Sequence, residues 1–112
     1  MNCENFRNFC LSLPDVIEKM PFQKFASAKN ILAFYVGEHI FCFYDIEKMD
    51  ECTVKCYPEQ VEELKASYKG ITDPYNLSHK YWIGVHFNSD VPDDKIRELV
   101  RQSYEIVKSE HS

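Results

Sequence analysis

Trp82 is the lone tryptophan of the chain, and it opens a run in which Ile83, Val85 and Phe87 alternate with Gly84 and His86. Read as a strand from Tyr81 to Phe87, that run turns Trp82, Gly84 and His86 away from the apolar set, because successive side chains leave opposite faces. A second run, Cys52 to Cys56, sorts the same way, with Cys52, Val54 and Cys56 on one side and Thr53 and Lys55 on the other. An indole and an ammonium on one uncovered sheet face can stack a base or grip a protein partner. A half-buried indole lying under a lysine stem is the plainer account of the same residues.

Other chemistries find less support. Cys52 and Cys56 sit about 13 Å apart along a strand, too far for a disulfide, which needs Cα atoms within about 7 Å, so both read as small core residues. Cys3 and Cys10 are about 10 Å apart on a helix. His39, His79, His86 and His111 lack the spacing of a tetrahedral site, and neither a metal nor a cofactor is expected. His39 and Cys42, an odd number of residues apart, should point to opposite faces and make no nucleophilic dyad. The acid pairs Glu62-Glu63 and Asp93-Asp94 fit helix starts and polar faces, with nothing to desolvate a general acid. With three glycines in all, Gly37, Gly70 and Gly84, no phosphate-cradling loop can be built. These residues therefore name no reaction, and the chain reads as a non-enzyme.

The elements that must hold these residues follow from periodicity. Phe6, Phe9, Cys10 and Leu13 recur at helical spacing from Asn2 to Leu13, and Pro14 stops the pattern. Asp15 to Pro21 allows one further helical turn. Phe22 to Phe25, Ile31 to Val36 and His39 to Tyr44 read as strands, the last two joined by Gly37-Glu38 in a type II′ hairpin turn. Strand Cys52 to Cys56 follows the acidic loop 46–51. Pro58 and Glu59 start a second helix along Val61, Leu64 and Tyr68, with Gly70 as its cap. Residues 71–80 read as loop. Pro92, Asp93 and Asp94 open a third helix that turns Ile96, Leu99, Val100, Ser103 and Val107 to the core. The expectation is an α+β fold in the order α-β-β-β-β-α-β-α, with about five mainly antiparallel strands and three helices on one face.

The chain has 112 residues, enough for one domain over 1–112. Thirteen Lys and Arg against eighteen Asp and Glu leave a formal charge of −5, which repels nucleic acid unless the lysines gather on one face. An odd set of five cysteines, and a start without the basic and apolar stretches of a signal peptide, point to a reducing cytoplasm. No apolar run approaches the roughly 20 residues of a membrane span.

Taken in order, Leu13-Pro14, Val54-Lys55-Cys56 before Pro58-Glu59, Pro74-Tyr75, Lys80, Trp82-Ile83, Pro92-Asp93 and Ser103-Tyr104 resemble the MmcQ/YjbR family of small bacterial proteins across nearly the whole chain. His39 is a departure, since many members of the family have lysine before this hydrophobic strand. The resemblance implies a compact α+β fold comparable with frataxin and with secretion chaperones. It also implies DNA binding by a double-wing arrangement, and it brings no catalytic residues. On that reading Lys55, Lys80 and Trp82 are the matching contact positions, with Lys24 and Lys29 added on charge, and DNA is the expected partner. An adaptor or homodimer that uses the exposed sheet face is the alternative.

Overall fold

A computed structural model describes residues 1–74 and 77–111. Tyr75, quoted above with Pro74, and part of the expected loop over 71–80 lie outside the described residues. Among the described residues the order is α1 (Cys3–Ser12), β1 (Ile17–Lys19), β2 (Ile31–Val36), β3 (His39–Asp45), β4 (Glu51–Lys55), α2 (Pro58–Ser67), β5 (Ile71–Thr72), β6 (Trp82–His86) and α3 (Asp93–Glu110). The strands form one antiparallel sheet in the order β1-β2-β3-β4-β6-β5. The α+β class and the helices on one face are as expected; the strands number six rather than five.

Local chemistry explains the helix limits. The Asn2 side chain accepts a hydrogen bond from the Asn5 N–H (2.8 Å) and caps α1. Pro58 takes the first position of α2, where its missing N–H costs nothing. Asp93 and Asp94 occupy the first turn of α3, favoured by the helix dipole. In α3 the buried Ile96, Leu99, Val100, Ser103, Tyr104 and Val107 make a continuous stripe. That stripe joins Phe6 and Cys10 of α1, Val61 and Leu64 of α2, and the inward residues of the strands in one core.

Several local expectations are corrected. Within residues 15–21, Ile17–Lys19 forms strand β1 rather than a helical turn, pairing Ile17 with Tyr35 and Lys19 with Ala33. Phe22 to Phe25 is not a strand. Its N–H groups bond within successive turns, Phe25 to Phe22 (3.0 Å) and Ala28 to Phe25 (2.9 Å), which spend the groups a strand would pair. Ile71–Thr72, expected in a loop, pairs with β6 through Ile71↔Val85 and Thr72↔Gly84. The hairpin turn is of the I′ kind, since Glu38 as well as Gly37 has positive φ (71° and 58°). Gly70 does not cap α2, which closes at Tyr68 by a bond from its N–H to the Leu64 carbonyl (3.0 Å). What Gly70 provides is close approach: a Cβ there would stand 2.1 Å from Ser89 Oγ.

The register between β2 and β3 shifts once. Cys42 faces Phe34 and Ile40 faces Tyr35, leaving Phe41 as an extra residue. Two consecutive residues, Phe41 and Cys42, are therefore both buried on the helix side. The shift also counts His39 back to that side, contrary to the expectation from parity, and its ring stacks on His111 after α3 (3.4 Å, 9°). No dyad results, because Cys42 is sealed. Burial pushes its thiol well above the usual range, with hydrogen bonding of the protonated thiol to Cys10 and Cys52 adding to the shift. All five cysteines are free, and Cys52 and Cys56 are core residues as expected.

Candidate functional site

The helix-free face can be read off the pairing. One row of residues, Lys19, Ala33, Phe43, Thr53, Gly84 and Thr72, crosses all six strands. Directly paired residues share a face, so Lys55↔Trp82 and Glu51↔His86 lie on the same side as this row, at opposite ends of β4. Lys55 and Trp82 thus emerge together on the face that the helices leave, as their alternation predicts. The Lys55 ammonium lies 5.9 Å from the centre of the indole, within cation–π range.

That face is not bare. The turns of residues 20–30 fold back over β2 and β3 and bring Phe22 and Phe25, in edge contact with each other (6.5 Å, 63°), above Tyr35 and Phe43. A pocket of about 790 Å³ is lined by these turns and strands together with the hairpin and the end of α3, Val107 included. Its apolar wall includes Ile31, Tyr35, Ile40, Phe43, Leu77 and Trp82, with Phe22 and Phe25 from the overlying turns. Its polar groups collect where α3 ends: Lys55, Glu110, His111 and the hairpin residues Glu38 and His39. Lys55 Nζ is ion-paired to Glu110 Oε1 at 2.7 Å, and it is the one lysine or arginine among the lining residues.

The buried Ser103 positions this end of β4. Its hydroxyl donates to the Phe41 carbonyl (2.5 Å) and accepts from the Lys55 N–H (2.8 Å). One α3 side chain thereby pins the extra residue of β3 and the backbone of the pocket lysine. Sequence periodicity marked Ser103 only as a core position.

Of the five expected contact residues, the structure brings Lys55 and Trp82 together. Lys24 and Lys29 are exposed on the 20–30 turns, and Lys80 is exposed before β6 with its ammonium 5.4 Å from the Tyr81 ring. None of these three lines the pocket. A cation that sequence reasoning passed over is Lys19, 5.1 Å from the Tyr35 ring; its membership of a strand was not legible, so neither was its face.

The other end of the same face is polar. His86 Nε2 lies 3.2 Å from Glu51 Oε2 and 3.2 Å from Thr72 Oγ1, above Gly84, where a Cβ would meet Glu51 Oε2 at 2.7 Å. A nucleophilic relay needs the acid on one ring nitrogen and the hydroxyl on the other. Both partners here meet the same nitrogen, so the cluster ties three strands together without forming a relay. Beyond it, Lys65 holds Asp73 (2.7 Å), and this hydrogen bond keeps the Asp73 carboxyl below its ordinary value. Among the described residues no group of three or more His, Cys, Asp or Glu could hold a metal ion, and no helix is long and apolar enough to cross a membrane.

The YjbR family model matches residues 11–106. A Deinococcus radiodurans protein whose family-model domain is DUF419 has a crystal structure similar to this one, with a TM-score of 0.86 at 28% identity over 97% of this chain and 80% of that one. A Pseudomonas syringae protein is similar in its crystal structure, with a TM-score of 0.78 at 22% identity over 95% of this chain and 98% of that one. A solution NMR structure from the same organism gives 0.75 at 22% identity over 100% and 97%. At that identity the likeness speaks for the fold alone. No curated protein matches the chain.

Proposed function

The chain belongs to the YjbR family, and from that premise we propose that it is a non-catalytic binding protein that takes an apolar group of its ligand into the pocket on the helix-free face of the sheet. One observation carries this reading: the pocket is lined mainly by aromatic and aliphatic side chains, with a few polar groups gathered at one end. Its volume of about 790 Å³ falls within the range of about 300–1,000 Å³ usual for ligand sites. Burying an apolar group there gains affinity from the area removed from water.

Two other readings compete for the same face. DNA binding through Lys24, Lys29, Lys55, Lys80 and Trp82 draws its support from the family resemblance, and it needs lysines free to displace counterions from phosphates. Lys55 is occupied by Glu110 and the formal charge is −5, so charge favours the apolar ligand. A protein partner or a second copy of the chain would bury the exposed Phe25 on the rim.

The indole N–H of the lone tryptophan gives a single cross-peak in a proton–nitrogen correlation spectrum, and it reports on the pocket floor. Naphthalenemethanol, uncharged and apolar, is expected to shift that peak saturably, and Tyr35→Ala to weaken the effect. A short DNA duplex at about 50 mM salt, where phosphate contacts are strong, is expected to leave the peak in place. No shift with the alcohol up to its solubility limit, or a saturable shift with the duplex alone, overturns the proposal. Self-association blocked by the Phe25→Ala change would replace it with the protein-contact reading.

A further inference from the structure

We propose that the pocket's ligand is a flat aromatic carboxylate, which docks by exchanging its own carboxylate for that of Glu110 on the Lys55 ammonium. This rests on the reading of the pocket as a binding site for an apolar group and adds what the other end of the ligand must be.

The argument starts from the asymmetry of the lining. The apolar walls are rings on two levels, Trp82, Tyr35 and Phe43 on the sheet and Phe22 and Phe25 on the turns above. Such a slot favours a planar ring system, since offset and edge contacts between rings add to simple burial. Lys55 stands over the indole at 5.9 Å, so a ring seated on Trp82 brings its substituents to the ammonium. The lysine side chain is only 21% exposed and its backbone is fixed through Ser103. The cation is therefore held in place before any ligand arrives, which reduces the ordering cost of binding.

Glu110 is a replaceable partner. It lies at the end of α3, where a negative charge opposes the helix dipole. Its side chain is 44% exposed and can turn into water when displaced. A ligand carboxylate offers Lys55 the same charge-assisted bond without the unfavourable position, and it brings ring burial as well. Exchange conserves the number of ion pairs on the lysine, so the buried end of the cation is never left alone. A neutral ligand would leave the Lys55–Glu110 pair in place and gain from its rings only.

The test compares naphthoate with naphthalenemethanol, which share the ring system and differ in charge, by titrating each into the full chain and following the Trp82 indole cross-peak. Naphthoate is expected to bind about two- to fivefold more tightly, because exchange conserves the ion pair and gains only the relief of a negative charge from the helix C-terminus. Lys55→Met should abolish that preference, so that the acid no longer binds more tightly than the alcohol. Glu110→Gln, which removes the competitor, should tighten naphthoate severalfold and favour it further over the alcohol. Lys19→Met should change neither. Equal affinity for the two ligands, or a preference that follows Lys19 rather than Lys55, overturns the exchange while the apolar pocket stands. Failure of both ligands to bind overturns the pocket reading itself, which separates the two proposals.

Discussion

On the helix side of the sheet Phe34, Val54, Ile83 and Val85 are fully sealed, while on the other side Tyr35, Phe43 and Trp82 stay half-buried and Phe25 is 64% exposed. The residue types hardly differ: both faces are aromatic and aliphatic in the middle. What differs is the cover. Helices bring continuous apolar stripes that fill the space between rings, whereas the turns of residues 20–30 bring two phenylalanines and leave open a pocket of about 790 Å³ that the hairpin and the end of α3 help to line. One face is built to hold the fold, and the other keeps apolar area unspent. The comparison teaches that the location of a site in this fold is set by which cover is incomplete rather than by which residues are aromatic.

The comparison breaks most directly at Phe6. Its ring meets Phe87, Tyr44 and Phe34 edge-on at centroid distances of 5.0, 5.4 and 6.4 Å, and it is wholly buried. Phe6→Ala is expected to lower the unfolding free energy by about 3–5 kcal/mol, read from a urea denaturation curve. A loss below about 1 kcal/mol would mean that the helix side is not what holds the sheet. Next in size is Ser103→Ala, which leaves the Phe41 carbonyl and the Lys55 N–H without their partner. Two backbone groups left unpaired at a buried site should cost about 1–3 kcal/mol. The same substitution should also broaden the Trp82 indole peak, since Lys55 loses its backbone anchor beside the pocket; a stability loss with no change at the indole would separate the two faces more sharply than the geometry does.

How far the sequence foretold this arrangement depends on how strictly each stretch alternates. Cys52 to Cys56 and Tyr81 to Phe87 carry a clear period of two, and the structure places Lys55 beside Trp82 as that period requires. The stripe of α3 was equally legible, because an 18-residue helix repeats its signal several times. Ile40-Phe41-Cys42-Phe43 is apolar throughout, so the pattern contained no mark of the extra residue at Phe41, and parity failed for His39. Ile17–Lys19 and Ile71–Thr72 are too short for a period to register, and their places in the sheet come from long-range pairing. Phe22 and Phe25 look like strand residues by type, but their role is to roof a cavity. The pocket itself was not legible, since it joins the 20–30 turns, the hairpin and the end of α3, segments far apart in sequence.

Where the two faces meet at the β5 and β6 edge, the cover is polar, and pH sharpens the contrast there. The Asp90 carboxylate accepts from the Lys69 N–H (2.7 Å) and the Gly70 N–H (2.8 Å), and these bonds hold its pKa below the ordinary value. A depressed folded-state pKa adds stability that is complete above the unfolded value, about 4, and is lost as pH falls through the folded value. Asp90→Asn removes that contribution. The gap in stability between wild type and variant should be constant from about pH 5 to 7 and should narrow below about pH 4, measured by chemical denaturation at each pH. Taking the difference cancels the parallel acid losses at Asp73, held low by Lys65, and at Glu18, held low by its hydrogen bond to Arg7. A gap that stays constant down to the acid transition would show that Asp90 does not anchor this edge.

The smallest change in stability is expected at Phe25, and it is the one that bears most on function. At 64% exposure the ring has little burial to lose, so Phe25→Ala should alter the unfolding free energy by no more than about 0.5 kcal/mol. Removing one of the two upper rings should nonetheless weaken naphthalenemethanol severalfold, because the ligand loses a ring contact above it and gains water in its place. Phe6→Ala gives the converse pattern under conditions where it still folds, with stability reduced and the affinity of the folded fraction kept. A Phe25 variant that binds as well as the wild type would mean that the overlying turns are incidental to the pocket. The helix-free face would then be an open shelf, with Tyr35, Phe43 and Trp82 doing the binding by themselves.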